Sequence, residues 1–120
     1  MPSDRSSLRD RLGRYNEINI TVKGRKSGRE ISLPVWFVLE GEKLYLLPVK
    51  GSETQWYQNV VKNSSLRVQV RGAEAQLKPV LIEDAKEVSA VTEKFRTKYG
   101  ASDVKKYYSK FDVAITAHIQ

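Results

Sequence analysis

The chain has 120 residues, 40% of them apolar, and a formal net charge of +7, which fits one domain with a single hydrophobic core. It contains no cysteine and a single histidine, His118, so thiol chemistry, disulfides and thiolate metal sites are excluded. A zinc site of several imidazoles or a Ser-His-Asp triad has too few residues to be built, and no metal is expected. A protein this poor in nucleophiles and neutral-pH bases must take its reactivity from a cofactor, or is not an enzyme. Eight Arg or Lys against three acids in residues 1–29 give that stretch a net charge of +5, a field that attracts nucleic acid, anionic lipid or a phosphorylated small molecule. No apolar run has the ~20 residues of a membrane span and no signal-like core follows Met1, so a cytoplasmic location is expected.

In chain order, Ser3 to about Gly13 predicts a short basic helix. In it Leu8 and Leu12 pair at i, i+4, leaving Arg5, Arg9 and Arg11 for solvent or an anion. Residues 1–16 are therefore set apart from a single domain over 17–120. Ile18, Ile20 and Val22 alternate as a first strand; after the Gly24–Gly28 turn Ile31, Leu33, Val35, Phe37 and Leu39 alternate as a second, completing a hairpin. Pro34 removes a ladder donor, so the second strand reads as an edge or bulge. Leu44, Leu46 and Val49 mark a third strand, buried on both sides by the pattern of Tyr45 and Leu47. A helix is expected from about Thr54 to Lys62, with Trp56, Asn59 and Val60 on one face. Leu66, Val68 and Val70 make a fourth strand, and Ala75 to Ile82 a fifth, interrupted by Pro79. A longer helix is capped by Asp84 and stops at Gly100. Ser102 is expected to cap a further turn through Tyr107 and Tyr108, and Phe111 to Ile119 to close the fold by sealing an edge. The expectation is a mainly β, α+β domain: a six-stranded antiparallel barrel with helices on its outside.

Gly24-Arg25-Lys26-Ser27-Gly28 has neither the spacing of a Walker loop nor the third glycine of a dinucleotide fingerprint. Local sequence fits a solvated hairpin turn. It also fits an anion clamp, because Arg25, Lys26 and Arg29 crowd like charges that a shared anion would relieve. Lys50-Gly51 forms a second cationic turn, just before Trp56, Tyr57 and Asn59. Those aromatics read as core residues, or as faces for a planar anion beside the N–H groups of a helix start. Tyr99, Tyr107 and Tyr108 read as a helix flank or as hydroxyls over a substrate.

Taken together, the Gly24–Gly28 segment with Pro34, Val49-Lys50-Gly51, Trp56-Tyr57-Gln58-Asn59-Val60 with Asn63, and Phe111-Asp112-Val113 resemble the deazaflavin-dependent nitroreductase and quinone reductase family. The likeness runs from about residue 17 to 119. It implies the split-barrel fold shared with flavin-binding pyridoxamine-phosphate oxidases, and a cleft for the deazaflavin coenzyme F420. Arg25, Lys26 and Ser27 would hold its phosphate and Lys50 and Gly51 would close over it, with Val49, Pro34, Trp56, Tyr57 and Asn59 lining the pocket. Many members carry an Arg where this chain has Ile31, so that one phosphate contact is either missing or replaced by Arg29. FMN stands as an alternative cofactor, and an FMN- or haem-binding split-barrel protein without catalysis, or a basic nucleic-acid-binding barrel, as the alternative function. The implied reaction is hydride transfer from the reduced coenzyme to a quinone, nitro compound or activated alkene. With no Cys or central His, the proton must come from solvent or from a tyrosine hydroxyl, for which Tyr107 or Tyr108 is the candidate. A small-molecule substrate is the expected partner and nucleic acid is not; peripheral membrane contact through the N-terminal helix and homodimer formation complete the set of expected partners.

Overall fold

The computed structural model describes residues 12–70 and 72–119. The expected N-terminal helix lies outside them apart from its last two positions, of which Leu12 is buried in the core. The chain runs through β1 (Glu17–Lys23), β2 (Glu30–Trp36), β3 (Val38–Glu40), β4 (Lys43–Leu46), a 3-10 turn (Gly51–Glu53), α1 (Gln55–Asn63), β5 (Leu66–Val70), β6 (Ala73–Leu77), β7 (Val80–Ile82), α2 (Ala85–Tyr99), α3 (Ala101–Tyr107) and β8 (Ala114–His118).

The strands form two four-stranded antiparallel sheets, ordered β2-β1-β5-β6 and β3-β4-β8-β7. They do not close into one barrel, and the expected six strands become eight because two of them break where the chain passes between sheets. The first break is at Phe37. Its N–H donates to the Tyr99 hydroxyl at 3.1 Å, and its carbonyl lies 2.8 Å from the same hydroxyl, so this residue leaves the strand ladder. The second is at Lys78-Pro79, where proline supplies no donor. Pro34 sits in β2, an edge strand of its sheet, where a missing N–H is tolerated.

The inner faces of both sheets, with Trp56, Tyr57 and Val60 of α1, build one apolar cluster around Ile20, Leu44, Leu66, Val68 and Ile115. Val88, Val91 and Phe95 of α2, Val104 of α3 and Tyr108 just after it pack with Val38, Ile82 and Ala114 of the second sheet and with Leu47 just after β4 as another. Asp84 caps α2 as expected, its carboxylate accepting from the Glu87 N–H at 3.1 Å. Two expectations are corrected. Gly100, not Ser102, is the N-cap of α3, because its left-handed φ of 97° already turns the chain out of α2. And β8 does not seal an edge: it lies between β4 and β7, and Ala114, Ile115 and Ala117 are buried there.

Candidate functional site

Two adjoining concavities lie along β2 and the start of α1. One is a cationic cleft lined by Gly24, Arg25, Lys26, Ser27, Ile31, Gln55 and Asn59. The other is an apolar cavity of about 360 Å³, bounded by β2 from Leu33 to Trp36 and by Glu17, Leu47, Val49, Trp56, Tyr107 and Tyr108. They share neighbours: Ile31 and Leu33 stand two apart on one face of β2, and Gln55 and Trp56 are consecutive in α1. At the strand rise, Ile31 to Val35 spans ~13 Å.

The cationic turn is docked on α1 by neutral side chains. Asn59 is buried, and its Oδ1 accepts from the Arg25 N–H at 3.0 Å and from the guanidinium at 2.8 Å. The Gln55 Oε1 accepts from the same guanidinium at 2.7 Å, and the Asn63 amide donates to the carbonyls of Lys23 and Gly24. Within the turn the Gly24 N–H donates to the Arg29 carbonyl at 2.7 Å, the Gly28 N–H to that of Gly24, and the Arg29 N–H to the Ser27 hydroxyl. Among the described residues no carboxylate pairs with Arg25, Lys26, Arg29 or Lys50. Three of these charges sit within five residues, so the turn presents uncompensated positive potential on a fixed backbone.

The second turn is held by an acid. Asp112 accepts from the Ser52 N–H at 2.9 Å and from the Ser52 hydroxyl at 2.6 Å. Burial acts upward on its carboxyl, but the Ser52 hydrogen bonds and the Lys110 ammonium outweigh it and hold the group below its ordinary range. Gly51 has φ of 56°, and a Cβ there would lie 2.0 Å from Asp112 Oδ1, so both the conformation and the space require glycine. The Thr54 hydroxyl accepts from the Lys50 N–H at 2.8 Å and therefore does not cap α1, whose first N–H groups have no side-chain partner.

Of the residues singled out from sequence, Arg25, Lys26, Ser27 and Asn59 line the cleft, while Pro34, Val49, Trp56, Tyr107 and Tyr108 line the cavity. Arg29, Lys50, Gly51 and Tyr57 line neither. Tyr57 is a core residue, its phenol pushed above its ordinary range by burial and by the charges of Glu83 and Asp112. The two tyrosines after α2 differ: Tyr107 is exposed, whereas Tyr108 is buried, its phenol pushed well up by burial and by Tyr99. A hydrogen bond from the Ser109 N–H to the Val49 carbonyl, at 2.8 Å, ties this end of α3 to the cavity wall.

Sequence reasoning missed Gln55, Trp36, Glu17 and the structural role of Asp112. Trp36 stacks on Tyr99 at 4.2 Å with planes 7° apart and meets Tyr107 near perpendicular at 5.5 Å.

Known structures with this fold carry different activities. An F420-H2 dependent reductase, FDR-A, superposes with a TM-score of 0.66 at 18% identity, covering 86% of this chain and 94% of its own. A heme binding protein from Mycobacterium smegmatis gives 0.66 at 13%, covering 98% and 51%. A provisionally assigned pyridoxamine 5'-phosphate oxidase from Listeria innocua gives 0.67 at 15%, covering 96% and 92%. At these identities the likeness is one of fold, the split-barrel type. No curated protein matches the sequence. The sequence itself matches, over residues 9–117, the family described as uncharacterized proteins conserved in bacteria (DUF2255), and the chain belongs to that family.

Proposed function

We propose that the protein is a small oxidoreductase that binds a phosphate-bearing tricyclic cofactor, the deazaflavin coenzyme F420, along β2 and α1. The observation that carries this reading is the pairing of a cationic turn, without a carboxylate partner among the described residues, with an adjoining apolar cavity. Phosphate-bearing ring cofactors need both, and the cavity's size falls in the range of small-molecule sites. Arg25, Lys26 and Ser27, with the uncapped start of α1, would hold the phosphate. Leu33, Val35, Val49 and Trp56 would take the ring system. When bound and reduced, the coenzyme supplies a hydride to an acceptor such as a quinone, nitro compound or activated alkene. The chain's own part is to position the acceptor and keep water out. Tyr108, a cavity-lining residue whose buried phenol keeps its proton across the neutral range, would donate a hydrogen bond to oxygen as charge develops there.

The fold relatives leave flavin and haem as alternatives. Haem requires an axial ligand; the cavity lining offers no His, Cys or Met for it, only the phenols of Tyr107 and Tyr108, so the flavin-type reading rests on the cationic turn that a phosphate needs. An anaerobic titration with oxidised F420 and FMN side by side tests the assignment. We expect tighter binding of F420, whose longer polyanionic tail suits the basic field; equal affinity or tighter FMN binding at matched ionic strength overturns it.

A further inference from the structure

We propose that the apolar cavity favours planar compounds bearing a positively charged nitrogen, so that organic cations are among the acceptors of the reaction. The inference rests on the oxidoreductase reading only in calling that cation a substrate. The cavity has four aromatic walls, Trp36, Trp56, Tyr107 and Tyr108, and one charged residue, Glu17. Aromatic faces carry negative quadrupole density and attract delocalised cations, most strongly at Trp.

Glu17 strengthens that preference. In the ladder between β1 and β2 it stands directly opposite Trp36, which puts the two Cβ atoms ~5 Å apart on one side of the sheet. No Lys or Arg among the described residues comes within ion-pairing distance of its carboxylate. In a chain of net charge +7, an acid with no cationic partner among the described residues, at the edge of an aromatic cavity, is the reverse of the surrounding field. The cationic turn is at the other end of the groove, beyond Ile31. The groove is thus polarised: positive where a phosphate would sit, negative and aromatic where the acceptor would sit. One face of Trp36 is covered by Tyr99, so the indole is held for stacking and loses little freedom when a ligand arrives.

The chain's only two tryptophans both line this cavity, so intrinsic fluorescence of the cofactor-free protein reports its occupancy directly. Three planar probes of similar size serve: the N-methylquinolinium cation, neutral N-methylquinolone and anionic naphthoate. We expect the cation to quench tryptophan emission with at least about tenfold tighter binding than the neutral probe, and naphthoate to be weakest. Glu17→Gln, at an exposed position, should leave melting unchanged and reduce the cation's advantage about three- to tenfold. Trp36→Leu should reduce it further; if that variant does not fold, Glu17→Gln alone decides. Equal binding of cation and neutral probe, tighter naphthoate binding, or a cation advantage that Glu17→Gln leaves intact overturns the proposal. Each of these results leaves the F420 titration standing, and failure of that titration leaves the cation preference standing.

Discussion

Lys26 and Asn59 are close in space, yet their substitutions should have opposite consequences. Lys26 is exposed and no hydrogen bond ties its ammonium to the described residues. Lys26→Ala should weaken F420 binding by about 1.5–3 kcal/mol, the scale of a hydrogen bond to a charged group, with melting unchanged. Asn59 accepts two bonds from Arg25 while itself buried; Asn59→Leu strands those donors and should lower stability by about 1–3 kcal/mol. Urea denaturation beside calorimetric titration separates the two, and a Lys26→Ala protein that loses stability as well as affinity would make the turn structural. Tyr108→Phe should lower steady-state reduction of a model quinone while cofactor affinity stays within about twofold. His118→Ala should be silent, since that side chain is exposed on β8 opposite Lys43. Full activity in Tyr108→Phe would leave solvent as the proton source. The cations of the site were legible in the sequence because charges crowded between glycines are a local pattern. Gln55 and Glu17 were not: one meets Arg25, thirty positions away, through a hydrogen bond, and the other meets Trp36 through strand register.

At the scale of elements, periodicity located every strand core and all three described helices, because apolar alternation and helical spacing are written in consecutive residues. It did not reveal where strands divide. The break at Phe37 is made by the hydroxyl of Tyr99, sixty-two residues away, and alternation continues through Phe37 to Leu39 without a mark in the sequence. Pro79, by contrast, did signal its interruption. The same contrast governs the loop before α1. Gly51 was visible as a turn residue, but the need for it comes from Asp112 at the far end of the chain, which fills the space a Cβ would occupy. Gly51→Ala should destabilise the fold by about 2–4 kcal/mol, combining a left-handed φ with displacement of the carboxylate from Ser52. In Gly51→Ala, Asp112→Ala the steric part disappears, so the double variant should be less destabilised than the two single losses added together. Strict additivity in denaturant melts would show that the two positions do not communicate.

For the molecule as a whole, the excess of positive charge meets one lysine in an unusual setting. Lys98 donates to the Phe37 carbonyl at 2.9 Å and lies 3.6 Å from the Phe37 ring centroid, and burial lowers its pKa from 10.5 to about 8. Between those values the unfolded chain holds more protons than the folded one, so stability rises with pH. The contribution is complete above the unfolded value and is lost as pH falls through about 8. Tyr99 acts in the opposite sense, since burial pushes its phenol up to about 12. Its contribution is full below the ordinary tyrosine value near 10 and is lost as pH rises through the folded one. The interval from about pH 8 to about pH 10 therefore isolates Lys98. Relief of general repulsion as lysines discharge adds to the same trend, so the difference between wild type and Lys98→Met, not the slope itself, carries the assignment. Urea unfolding free energies should climb across that interval in the wild type and climb less in Lys98→Met, with the two curves converging at the alkaline end. Parallel curves would mean that Lys98 keeps an ordinary proton affinity despite its burial against Phe37.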